Sequence, residues 1–284
     1  MDFIITGLNH TIQNNVWTTE INTNMVPRDP SQSAGGSYQG NSNSNSNGSS
    51  NPTPSPRGAS RGTTGQISES KRRIVEKIVD FARQQGINDR DRLIALITIA
   101  QAESGITPGK SESFLYSLDR AKAVFPSKLK GLTDEQILNI IPASKGGKGT
   151  EKTLADKLYS NLYGNGPGEG YKYAGKGMTQ ITFKGNYRKA NENFRKYNLP
   201  YDLIANPGVL KTNEDADIAL LVIGKLEGQF GNRLKAGVNY SGNPAAIIAT
   251  QDGGKSVPSS APLAVYSRAL QTVLNTKWIN DLIG

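Results

Sequence analysis

Glu103 and Glu112 are the two residues of this chain whose type and spacing best suit acid–base chemistry. Glu103 closes the run DRDRLIALITIAQAE at 89–103, where Leu93, Leu96, Ile97 and Ala100 recur at helical spacing and place Glu103 on the same apolar stripe. A carboxyl group there is partly desolvated and stands at the negative end of the helix dipole. Both effects favour the protonated form that a general acid carries. An ordinary glutamate at a frayed helix end is the competing reading. Ser104-Gly105 and Pro108-Gly109 break the helix, and Glu112 follows in a loop that can fold back across a cleft. Two carboxyls presented from a helix end and a facing loop are the minimum equipment for glycosidic hydrolysis. Asp119 is a third carboxylate, expected to pair with Arg120 or Lys122 on a helix surface.

The segment 164–188, GNGPGEGYKYAGKGMTQITFKGNYR, is Gly-rich, then briefly β-like over Met178–Thr182, then helical. Tyr171, Tyr173 and Tyr187 offer flat faces that stack on sugar rings, and Gln180, Thr182 and Asn186 offer neutral donors and acceptors. That mix suits a carbohydrate cleft better than a phosphate site. A surface hairpin with structural tyrosines is an equal alternative. Other chemistries are poorly supplied. The chain has no Cys and a single His, His10, which excludes a disulfide scaffold, a thiolate zinc site and a Cys nucleophile, and leaves no metal site or cofactor expected. Gly109-Lys110-Ser111 and Gly254-Lys255-Ser256 lack the earlier glycine of a phosphate-binding loop, Ser104 and Ala249 standing there.

The elements that must position these groups are mostly helical. Helices are expected from Ser68 to about Gln85, over 89–103, after the capping pattern Thr133-Asp134-Glu135-Gln136, and near 150–163, 184–197, 212–230, 243–251 and 262–275. Residues 1–30 form a separate piece in which two alternating runs flank Gln13-Asn14-Asn15 and read as a β-hairpin. So short a segment cannot bury a core alone and must pair with something else. Residues 31–66 read as a disordered linker: 28 of the 36 are Ser, Asn, Gly, Pro or Thr, too polar to offset ordering entropy. As a flexible coil the linker spans roughly 30–36 Å. Residues 67–284 form the main domain and carry the whole net charge of +9, because the acidic and basic residues of 1–66 cancel. That charge points to an anionic polymer, either nucleic acid or a bacterial wall.

Four strings bring a resemblance into view: AQAESG at 100–105, SESFLYS at 111–117, AKAVFPSKL at 121–129 and YSNLYGNGPGEGYKYAGKGMTQITFKGNYRKA at 159–190, with DLIANPGVL following at 202–210. In order and spacing they resemble family 19 glycoside hydrolases, which include plant-type chitinases and phage and bacterial endolysins. The resemblance implies a mainly α, lysozyme-like domain with a small β-hairpin element, and an inverting mechanism. It implies Glu103 as general acid, Glu112 as general base and Thr182 as the hydroxyl that helps hold the attacking water. It places Gln180 and Asn186 in the sugar-binding cleft, with Tyr116 where the family often has an aromatic; Tyr173 joins the substrate-binding set. Two departures stand out: Ala102 replaces the usual His before the first Glu, and Gly175-Lys176-Gly177 replaces the usual Gly-Arg-Gly.

Residues 1–27 resemble a segment of phage tail baseplate-hub or tail-lysin proteins. The combined expectation is a peptidoglycan-degrading hydrolase, an endolysin or virion-associated tail lysin, that cuts the β-1,4 glycan backbone. Residues 1–30 would contact tail or baseplate proteins, and the enzyme would act from the virion or be released to the bacterial wall. The opening MDFIITGLNH lacks a basic region and a cleavage site, so no signal peptide is expected, and no apolar run is long enough for membrane insertion. A chitinase, a lytic transglycosylase using one glutamate, and a non-catalytic wall-binding or tail module are the alternatives. A nucleic-acid partner is not expected, since charge alone supports it.

Overall fold

The computed structural model describes residues 2–13, 16–26, 65–252 and 260–284. The linker expected at 31–66 falls almost wholly outside them, as do Asn14 and Asn15 of the expected turn. Strands β1 (Asp2–Gln13) and β2 (Val16–Val26) pair antiparallel, with Phe3 opposite Met25, Ile12 opposite Trp17 and a register irregularity between Ile5 and Gly7.

The remainder is mainly α. Helix α1 spans Arg72–Gln84, α2 Arg90–Ser104, α3 Leu118–Val124, α4 Pro126–Leu129, α5 Asp134–Leu138, α6 Glu151–Tyr159, α7 Lys184–Lys196, α8 Val209–Thr212, α9 Glu214–Leu226, α10 Pro244–Asp252, α11 Ser260–Leu274 and α12 Lys277–Ile283. Local chemistry sets several boundaries. The Asp89 side chain accepts from Arg92 N at the start of α2, and Thr133 with Gln136 makes both arms of a capping box at α5. Gly105 ends α2 in the left-handed region (φ 65°), where a side chain would be strained. The expected helices at 150–163 and 212–230 stop earlier, at Tyr159 and Leu226. The helices α4, α8 and α12 were not expected. Asp119 lies in the first turn of α3, and Lys122 of that helix pairs with Asp134 rather than with Asp119.

Helix α2 is not amphipathic. Every residue from Leu93 to Ala100 is fully buried, so the stripe that guided the sequence reading is one face of a helix buried all round. It centres an apolar cluster with α1, α10, α11 and α12, and α11 lies along it. Helix α9 is buried almost throughout and joins two clusters: Ile218, Leu221 and Val222 face the α2 cluster, while Ala219, Leu220 and Ile223 face a second formed with α7 and α8. A third cluster gathers Phe114, α3–α6, Ala174 and Phe183. The expected β-like run at Met178–Thr182 is a turn: Lys176 makes isolated bridges to Ser111 and Ile181, and among the described residues of 65–284 no strand forms.

Candidate active site

A cleft of about 480 Å³ opens between the α2 cluster and the third cluster. Its first wall comes from Glu103 at the end of α2, Phe230, Ile248 and Gln251 of α10, and Pro262 and Tyr266 of α11. Its second comes from Glu112, Tyr159 of α6, Gly175, Thr179, Gln180 and Thr182. The structure thus brings together Glu103, Glu112, Gln180 and Thr182, which lie far apart in the sequence.

Glu112 is held from both sides. Tyr159 Oη donates to Oε1 at 2.7 Å and Gly175 N donates to Oε2 at 3.0 Å, while Glu112 N donates to Gly175 O at 2.8 Å. Both carboxyl oxygens act as acceptors, the arrangement that suits an ionised carboxylate. Burial pushes the Glu112 carboxyl above its ordinary value; the Tyr159 hydroxyl, the Gly175 N–H and the Lys176 charge each work against that rise. Space at Gly175 is tight: a Cβ there would lie 3.1–3.3 Å from Gln180 Oε1 and from Glu112 Oε2 and Cβ, so those side chains would have to shift by a few tenths of an ångström. Lys176, at the altered Gly-Lys-Gly, turns back so that Nζ donates to Lys172 O at 2.8 Å and Ala174 O at 3.2 Å. Burial lowers its ammonium to about 8, with Lys211 adding to the fall and Glu112 opposing it.

Glu103 is half-buried. Its Oε1 accepts from the Tyr266 hydroxyl, which in turn accepts from Gln251 Nε2 at 3.1 Å. Ala102, the departure noted in the sequence, packs on the α2 cluster, and polar support for Glu103 comes from Tyr266 of α11.

Beneath the cleft, the buried Asp217 of α9 ties two loops together. Its carboxylate accepts from Gly109 N at 2.9 Å and from Met178 N at 2.8 and 3.0 Å. These loops carry Glu112 and the Thr179–Thr182 turn. Gly177 sits against the same carboxylate with φ 74°, and a Cβ there would come within 2.2 Å of Asp217 Oδ1. Burial raises the Asp217 carboxyl to about 6, against the pull of the two N–H groups.

The turn residues are locally braced. Gln180 Nε2 donates to Gly177 O at 2.7 Å and Lys110 O at 3.3 Å, and Thr182 Oγ1 donates to Gln180 O at 3.0 Å. Thr179 Oγ1 is buried and has no hydrogen-bond partner among the described residues. Asn186 lies behind this turn rather than in the cleft lining: its Nδ2 donates to Thr182 O at 2.8 Å. Tyr116 is half-buried, edge-on to Phe125 at 5.1 Å, with burial and then the Glu112 charge raising its phenol.

Tyr173, expected in the substrate-binding set, lies away from the cleft lining. It is fully buried, its hydroxyl donates to Ile204 O at 3.1 Å, and its ring lies 5.3 Å from that of Tyr187. Tyr187 is buried as well and donates to Ala174 O at 3.0 Å. Neither ring is exposed; of the three tyrosines only Tyr171 is. Glu169 accepts from Gly166 N at 2.6 Å and pairs with Lys184 at 2.9 Å, which together hold its carboxyl below the usual range. Sequence reasoning missed Tyr159, Asp217, Thr179, Gln251 and Tyr266. Only Asp217 carried a signal, as a lone acid inside the apolar run of α9.

No family model matches the chain, and no curated protein matches it.

Proposed function

We propose that residues 67–284 are a lysozyme-like, family 19-type glycoside hydrolase that cleaves the β-1,4 glycan of peptidoglycan with inversion. The observation that supports this reading best is the joint lining of one cleft by Glu103 and Glu112, from a helix end and a facing loop. Inverting hydrolysis needs two carboxyls roughly 6.5–9.5 Å apart with a water between one of them and the sugar. Glu103 donates its proton to the glycosidic oxygen. Glu112, ionised and fixed by Tyr159 and Gly175, removes a proton from the water. Thr182 spends its hydroxyl hydrogen on Gln180 O, so toward the water it acts only as an acceptor. A water that gives one hydrogen to Glu112 and the other to Thr182 presents a lone pair to C1. Gln180 lines the same cleft and serves as a sugar contact. Peptidoglycan is preferred to chitin because of the +9 net charge and the tail-like N-terminal segment, through which residues 1–30 would join a phage tail or baseplate.

The test is mass spectrometry of products released from purified peptidoglycan by the full chain, with Glu103→Gln and Glu112→Gln beside it. Reducing-end muropeptides that vanish in both variants are expected. Anhydro-muropeptides that persist in Glu112→Gln would make the protein a one-carboxylate transglycosylase, with the Tyr159–Glu112 pair a structural brace. Absence of products from wall, followed by cleavage of chitin oligomers, would change the substrate and keep the mechanism; absence of both would leave a binding module.

A further inference from the structure

We propose that Tyr266 is the positioning residue for Glu103, fixing which carboxyl oxygen carries the acid proton, and that Gln251 and Lys225 fix Tyr266. The inference rests on the hydrolase reading of Glu103 and adds to it a device drawn from three helices distant in the chain.

The arrangement begins at Lys225 on α9, whose side chain is fully buried. Its Nζ lies 4.8 Å from the centre of the Phe230 ring and donates to Thr250 O at 3.0 Å and to Gln251 Oε1. An ammonium group only donates, so it selects the oxygen end of the Gln251 amide and turns the nitrogen end away. Gln251 Nε2 then donates to Tyr266 Oη at 3.1 Å. The phenol has a single hydrogen, and it is directed to Glu103 Oε1. Every donor in the series points toward Glu103, an order in which each bond polarises the next.

The consequence for Glu103 is asymmetry. Oε1 is occupied as an acceptor, and among the described residues Oε2 accepts no hydrogen bond. A proton carried by Glu103 therefore resides on Oε2 and leaves from there to the glycosidic oxygen, while the Tyr266 O–H bond stays intact. The ring of Tyr266 is buried against the α2 cluster, so the hydroxyl is delivered by a rigid support. A displaced carboxyl costs rate steeply, because proton transfer demands alignment to within about an ångström.

The experiment uses the full chain and Tyr266→Phe, which deletes the hydroxyl and keeps the ring, with Gln251→Asn as a second variant that shortens the amide arm. On soluble glycan oligomers kcat is expected to fall about 10- to 100-fold in Tyr266→Phe and less in Gln251→Asn, with KM and the thermal midpoint unmoved. A crystal structure of Tyr266→Phe should show the Glu103 carboxyl in a new rotamer or in two. An unchanged kcat, a KM that rises as kcat falls, or a Glu103 carboxyl left in its single original rotamer would overturn the proposal. Glu103→Gln is run alongside: if it keeps full turnover, the hydrolase reading fails, and the crystal structure of Tyr266→Phe still decides whether Tyr266 positions Glu103.

Discussion

At the scale of single residues, the two glutamates are held in unlike ways. Glu112 takes donors on both oxygens, whereas Glu103 takes one on a single oxygen. Under the proposed mechanism, that difference separates the group that accepts a proton from the group that gives one. Replacing either by Gln is expected to cut glycan cleavage by about 10²- to 10⁴-fold, the usual worth of a positioned acid or base, with an unchanged melting midpoint as the control. Lys176 sets the alkaline side. Its ammonium is lowered to about 8, and its charge helps keep Glu112 ionised. As pH rises through 8 that charge is lost, so activity should decline there. Arginine holds its charge far beyond this range, so the pH–rate profile of Lys176→Arg should extend upward by a unit or more. An identical alkaline limb in the two proteins would remove Lys176 from the explanation.

At the scale of elements, α9 acts through Asp217, which joins the Gly109 and Met178 loops. The folded chain raises this carboxyl from 3.8 to about 6. Between those values the folded form holds a proton that the unfolded form releases. The group's contribution to stability is therefore fullest below pH 4 and is lost as pH rises through 6, by about 3 kcal/mol. Urea unfolding of the wild type and Asp217→Asn across pH 4–8 should show the wild type losing ground to the variant as pH increases; a constant difference would refute this. Such effects were only partly legible in the sequence. The end of α2 could be read from Gly105 and Pro108, and α5 from its capping box, because caps and breakers are local. Glu103, Glu112, Gln180 and Thr182 were legible as types and spacing. Tyr173 and Tyr187 were misplaced because their burial depends on partners such as Ile204 O, 31 residues away from Tyr173. Tyr159 and Tyr266 were invisible for the same reason: they reach the glutamates across 47 and 163 residues, and nothing near them in sequence marks the contact.

At the scale of the whole molecule, 33 basic against 24 acidic residues make the chain a polycation with a cleft of modest size. Attraction to an anionic wall should therefore weaken by about tenfold or more as salt rises from roughly 0.05 to 0.5 M, since charges are screened within about 10 Å at 0.1 M. Cosedimentation with purified walls measures this, and walls stripped of their acidic polymers should show little salt dependence. Among the described residues no helix is long and apolar enough to cross a membrane.

The reach of Tyr266 back to Glu103 also bears on synthesis. A ribosome delivers both glutamates well before it delivers α11, and the hydroxyl that orders Glu103 comes 163 residues after it. A growing chain therefore holds both carboxyl groups of the proposed mechanism long before it holds the hydroxyl that meets Glu103. Under the proposed reading, copies that end before α11 would lack this contact and should turn over glycan poorly.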